Sequence, residues 1–216
     1  MSLILHSHPF AAFCQKVLIA LHENGTPFEE RLVDLGDPAV REAFLKLSPF
    51  GKMPALQDGE RVVLETSIII EYLDRHHPGP VPLLPADQAL EVRAKDRFYD
   101  LYVADPMQRI VGDRLRPEGG SDPIGVETAR GILRTAYGLI EAEMGTRTWA
   151  AGEVFTMADC AAAPALFYAD WVEPIGEARP NMAAYLARLC ARPSFARVIE
   201  GARPYRHLFP QPRAAA

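Results

Sequence analysis

Phe50-Gly51-Lys52-Met53-Pro54-Ala55-Leu56-Gln57-Asp58-Gly59-Glu60-Arg61-Val62-Val63-Leu64-Glu65-Thr66-Ser67-Ile68-Ile69-Ile70-Glu71-Tyr72-Leu73 holds two short strands, a tight turn and the start of a helix. Ala55–Gln57 and Arg61–Leu64 are short and partly apolar, and the Asp58-Gly59 pair between them is a hairpin-turn signal. Pro54 opens the first strand, where a missing backbone donor costs little. Thr66 or Ser67 can cap a helix whose apolar positions include Ile69, Ile70 and Leu73. Backbone groups beside Met53, an acid at Glu65 and a helix N-terminus at Thr66 are the parts of a site for one small zwitterionic ligand.

Upstream, Leu3-Ile4-Leu5 suits a buried strand, and His8-Pro9 breaks it. From Phe13 to Asn24 the residues Val17, Leu18, Ala20 and Leu21 fit helical spacing, with Asn24-Gly25 as the stop. Phe28–Val33 reads as a second strand, and Asp37-Pro38 as the start of a helix over roughly 39–47. The order β-α-β-α followed by β-β-α predicts a mixed four-stranded sheet with three helices, one strand pair parallel and the hairpin antiparallel.

Downstream, residues 78–88 carry Pro78, Pro80, Pro82 and Pro85 without a period and read as a stiff linker. Strand signals then fade. Residues 89–114 predict a long helix with Ala94, Phe98, Leu101, Tyr102 and Asp105 near one face. Ile132, Leu133, Ala136, Leu139 and Ile140 give the stripe of a core helix. Thr156-Met157-Ala158-Asp159 fits a short variant of the capping box, Asn181–Ala191 and Ser194–Glu200 predict two further helices, and the tail from Gly201 reads as irregular.

The chain has 216 residues and a net charge of −5, with no basic tract, which points away from nucleic acid and anionic membranes as partners. With no apolar run of about 18 residues and no signal-peptide pattern, the expectation is a cytoplasmic location. Cys14, Cys160 and Cys190 lie far apart, which argues for a reducing compartment. His6, His8, His76 and His77 lack the spacing that makes a metal site, so no metal is expected.

Lys52-Met53-Pro54 ahead of the hairpin and Glu65-Thr66 after it resemble the glutathione-binding half of the cytosolic glutathione S-transferases. Gly152 with the Thr156–Asp159 box resembles the second domain of that family, and the overall match is to a bacterial type with an atypical active-site loop. The resemblance implies an α/β thioredoxin-like N-terminal domain over 1–77 and an all-α C-terminal domain over 89–216, with Pro54 cis. It also implies a homodimer, glutathione as substrate or cosubstrate, and a role in detoxification. Met53 would pair its backbone with the cysteinyl part of glutathione. Glu65 would hold the γ-glutamyl amino group, Thr66 its carboxylate, and Lys52 the glycyl carboxylate.

The implied reaction is attack of the glutathione thiolate on a small hydrophobic electrophile. A free thiol has a pKa near about 8.5, so the protein must stabilise the anion. Family members use a Tyr, Ser or Cys after the first strand. Here Ala11 and Ala12 stand at that turn and offer no hydroxyl. The replacements are the Ser7 hydroxyl, Cys14 as thiolate or mixed-disulfide partner, or backbone N–H groups of residues 11–14. Cys14 also reads as a packed core thiol. His8 is a further donor in the same loop, but before Pro9 it reads as an exposed loop residue. Phe10, Phe98, Tyr102 and Met107 are the expected electrophile pocket. Two alternatives stay open: a glutathione-dependent thiol–disulfide oxidoreductase working through Cys14, and a non-catalytic glutathione-binding protein.

Overall fold

The computed structural model describes residues 3–212; the expected domain limits at Met1 and Ala216 lie outside the described residues. The first half runs β1 (Leu3–Ser7), α1 (Ala12–Glu23), β2 (Phe28–Leu32), α2 (Pro38–Leu45), β3 (Ala55–Asp58), β4 (Arg61–Val63) and α3 (Thr66–His76). The sheet order is β2-β1-β3-β4, with β1 parallel to β2 and both other pairings antiparallel. Asp58 pairs with Arg61 across the predicted turn, where Gly59 takes a left-handed φ of 61°.

Strand alternation divides the apolar residues between two layers. Leu3, Leu5, Leu56 and Val63 join the main core with α1 and α3. Val33, Phe44 and Ala55 form a smaller cluster on the α2 side, with Met53 and Leu64 packed against it. β2 is an edge strand, and its Glu29, Glu30 and Arg31 are exposed, which discourages pairing with another chain.

The second half is helical among the described residues. α4 (Ala89–Tyr99) passes through a π-helical turn, Asp100–Ala104, into α5 (Asp105–Arg114). Then come α6 (Pro123–Met144), α7 (Met157–Ala169), α8 (Pro180–Ala191), α9 (Pro193–Ala202) and a 3-10 turn, Arg203–Leu208. α7 is apolar nearly all round and buried along almost its whole length, the signature of a central helix. Its start is held by the capping box: Asp159 accepts from the N–H of Thr156 at 2.9 Å, from the N–H of Ala150 at 2.8 Å and from the Tyr185 hydroxyl at 2.6 Å. No helix among the described residues is long and apolar enough to cross a membrane.

One face of the 89–114 stretch is buried, and it is not the face bearing Ala94, Phe98, Leu101, Tyr102 and Asp105. The core takes Val92, Asp96, Tyr99, Val103 and Met107, and Leu101 and Tyr102 are each 51% exposed. The tail beyond Gly201 is not irregular throughout, because its 3-10 turn packs back onto the first domain.

Candidate functional site

The resemblance expects Lys52, Met53, Pro54, Glu65 and Thr66 to serve one ligand, and all five line one cleft of about 280 Å³. Two chain reversals bring them together. The Met53–Pro54 peptide is cis, and Glu65 is the only non-glycine residue with positive φ among the described residues. Glu65 has φ 67° and ψ 119° and stands immediately before α3, so the cap is Glu65 rather than Thr66 or Ser67. Side chains rarely adopt that backbone, and such residues gather where a ligand is gripped. The turn leaves Glu65 exposed at the cleft wall, with Thr66 at the first turn of α3.

Each of these groups is unengaged by protein. Among the described residues the Glu65 carboxylate, the Lys52 ammonium, the Thr66 hydroxyl and the backbone N–H and C=O of Met53 make no hydrogen bond. The cleft therefore offers one anion, one cation, a helix N-terminus and a strand-like backbone edge. Ser48 steadies the loop below by donating to the Lys52 carbonyl at 2.8 Å.

The far wall comes from the second half of the chain, through Arg97, Asp100, Leu101, Asp105 and Gln108. Beneath it lies a buried ion cluster that the sequence reading missed. Lys16 on α1 sits 2.6 Å from Asp96 and 2.8 Å from Asp100, and its ammonium donates to Ser67 at 3.1 Å. Arg97 donates to Ser67 at 2.8 Å and also binds Asp100. Burial pushes the Asp100 carboxyl above its ordinary value, against the pull of Lys16. The spacing Asp96, Arg97, Asp100 was a readable sign of a charged helix face, but nothing local to Lys16 reveals its partners.

Neither expected catalytic residue lines the cleft. Ser7 is fully buried, and its hydroxyl donates to Glu30 on β2 at 2.6 Å, so its proton is already engaged. Cys14 is fully buried, accepts from the His8 N–H at 3.4 Å, and has its thiol pushed up to about 12, chiefly by burial. A thiolate there is disfavoured, which disposes Cys14 to packing rather than redox work. The four residues expected to form an electrophile pocket do not converge. Phe10 packs on Tyr168, Trp171 and Phe209, whereas Phe98 and Tyr102 line an apolar groove against α6, and Met107 is in the core.

Comparison with known proteins bears on the family and the fold. Residues 5–81 match the family model for the glutathione S-transferase N-terminal domain, and residues 89–188 match that for the C-terminal domain. The chain belongs to the glutathione S-transferase family. It is 32% identical over 204 residues to glutathione S-transferase 3 of Zea mays, covering 90% of this chain and 92% of the maize protein. It is 30% identical over 187 residues to a stringent starvation protein A homolog of Pasteurella multocida, covering 85% and 83%. Among solved structures, a glutathione S-transferase of Methylobacillus flagellatus with glutathione bound superposes with a TM-score of 0.83 at 26% identity, covering 91% and 98%. The thioredoxin-like first domain and helical second domain are those of the glutathione S-transferases.

Proposed function

We propose that this glutathione S-transferase family member binds glutathione in the Met53–Glu65 cleft and presents its thiolate to a small hydrophobic electrophile. The observation that carries the reading is the convergence of Lys52, Met53, Glu65 and Thr66 on one cleft with their polar groups unengaged by protein. Glutathione matches that set: the amino group meets Glu65, the γ-glutamyl carboxylate meets Thr66 and the N-terminus of α3, the cysteinyl peptide pairs with Met53, and the glycyl carboxylate meets Lys52. Held in this way, the sulfur attacks the electrophilic carbon as the leaving group departs, and orientation supplies much of the rate. We place the protein in the cytoplasm, in detoxification, as a homodimer. The 89% exposed Phe50 and the apolar groove beside Phe98 and Tyr102 supply surface for the dimer.

A second reading, a non-catalytic glutathione-binding protein, is favoured by Ala11 and Ala12 at the turn and by the similarity to stringent starvation protein A homologs. The oxidoreductase alternative has little support, because Cys14 is sealed in the core. The deciding experiment titrates the ultraviolet absorbance of glutathione's thiolate with and without stoichiometric protein. A lowered thiol pKa with turnover on an electrophile panel is the expected result. Binding with neither would select the second reading, and no binding would refute the cleft assignment.

A further inference from the structure

Met53 borders two hollows. One is the cleft described above; the other is shallower and also lined by His8, Phe10, Ala11, Asp34 and Leu208. If the cysteinyl residue of glutathione pairs with the Met53 backbone, as the proposed function holds, its side chain lies where these hollows meet. Ala11 faces that point without a hydroxyl, and it caps α1 with no side-chain hydrogen bond.

His8 is the one imidazole bordering this hollow, and its surroundings fix it. Its Nδ1 accepts from the Phe10 N–H at 3.2 Å, which places the proton of the neutral ring on Nε2. The ring packs edge-on against Tyr205 with centroids 4.7 Å apart, and the His8 N–H is tied to Cys14. Nε2 has no hydrogen-bond partner among the described residues. Ser7 donates to Glu30 and Cys14 is buried, so neither competes for the role.

We propose that His8 is the catalytic hydrogen-bond donor to the glutathione thiolate, acting from Nε2–H together with the N-terminal N–H groups of α1. Burial lowers the His8 pKa, while Asp34 and Glu30 oppose that shift; Tyr205 packs on the ring, and the Cys14 thiol meets the His8 backbone N–H. The neutral ring thus donates without taking the thiol proton. That proton leaves to solvent, the sulfur lone pair forms the new carbon–sulfur bond, and the leaving group departs with its bonding electrons. The imidazole ends the cycle in the state in which it began.

The test is the thiolate titration of bound glutathione with wild type, H8A and H8Q, together with turnover of 1-chloro-2,4-dinitrobenzene below neutral pH. The glutamine amide sits near the Nε2 position and can still donate. For H8A we expect a raised bound-thiol pKa and turnover down roughly tenfold to a hundredfold, with the KM for glutathione changed less than about threefold. H8Q should recover much of the loss, which a structural role for the ring would not predict. A bound-thiol pKa in H8A equal to that of wild type would overturn the assignment of His8 alone, as would H8Q no better than H8A. Wild type that binds glutathione with an unshifted thiol overturns it too, and wild type that fails to bind overturns the cleft assignment with it.

Discussion

The backbone of Glu65 separates stability from binding in one experiment. At φ 67° and ψ 119° a residue with a Cβ is strained by about 1–3 kcal/mol. Glycine relieves that strain but loses about 0.4–1 kcal/mol through its freer unfolded chain. Both E65G and E65A remove the carboxylate, and only E65G also removes the strain. E65G should therefore be more stable than E65A by about 1 kcal/mol, or roughly 2–4 °C in melting temperature for a chain of this size. Both should bind glutathione about ten- to a hundredfold more weakly, since a hydrogen bond to a charged group contributes about 1.5–3 kcal/mol. E65Q keeps the strain and part of the hydrogen bonding and should fall between wild type and E65A in affinity. Calorimetric melting and isothermal titration read the two effects separately. Equal melting temperatures for E65G and E65A would refute the strain argument, and unchanged affinity in both would refute the role of the carboxylate.

Native protein should react with iodoacetamide at Cys14 orders of magnitude more slowly than unfolded protein, read by mass spectrometry, because the thiol is buried and pushed up to about 12. Asp159→Ala strands four buried donors and should cost about 4 kcal/mol by urea denaturation; a loss below about 1 kcal/mol would contradict the capping geometry. Lys16→Met removes the one buried cation between Asp96 and Asp100, leaving them only the half-exposed Arg97, and should cost about 3 kcal/mol, with D96N and D100N added to it restoring part of the loss. Asp58 has its pKa lowered by hydrogen bonds from His77 and Tyr72, so its folded value lies below its unfolded one. Its contribution is present above the unfolded value and is lost as pH falls through the folded one. The melting temperature of D58N should accordingly fall less than that of wild type over that acid range.

The first domain was legible because its signals are local. Asp58-Gly59 and Asn24-Gly25 dictate turns and Asp37-Pro38 a helix start, each through its own backbone preferences, and the observed elements follow them closely. That Lys52, Met53, Glu65 and Thr66 share one cleft was legible for a related reason: 52–66 is a contiguous run, so the hairpin that it encodes also brings its two ends together. What escaped depends on partners distant in sequence. Ser7 stood as a candidate hydroxyl donor, yet β1 extends through it and the parallel neighbour β2 supplies Glu30. The apolar stripe around Phe98 and Tyr102 obeys helical spacing, but spacing alone does not say whether a stripe meets the core or a groove. Tyr205, Leu208 and Phe209 sit in a Pro-rich tail whose aromatic contacts with His8, Phe10 and Trp171 form only once both halves have packed.

The seam between the two halves is polar at its centre, where Lys16 of α1 meets Asp96 and Asp100. Sliding contacts between domains are usually greasy or wet, and either kind repacks cheaply. A charge cluster sealed from solvent does neither, since parting it exposes ions to a medium that cannot yet solvate them. The amide protons of α1 and α4 should therefore exchange through one shared opening event rather than two. The cleft, with one wall on each half of the chain, should then keep the same width with and without a ligand.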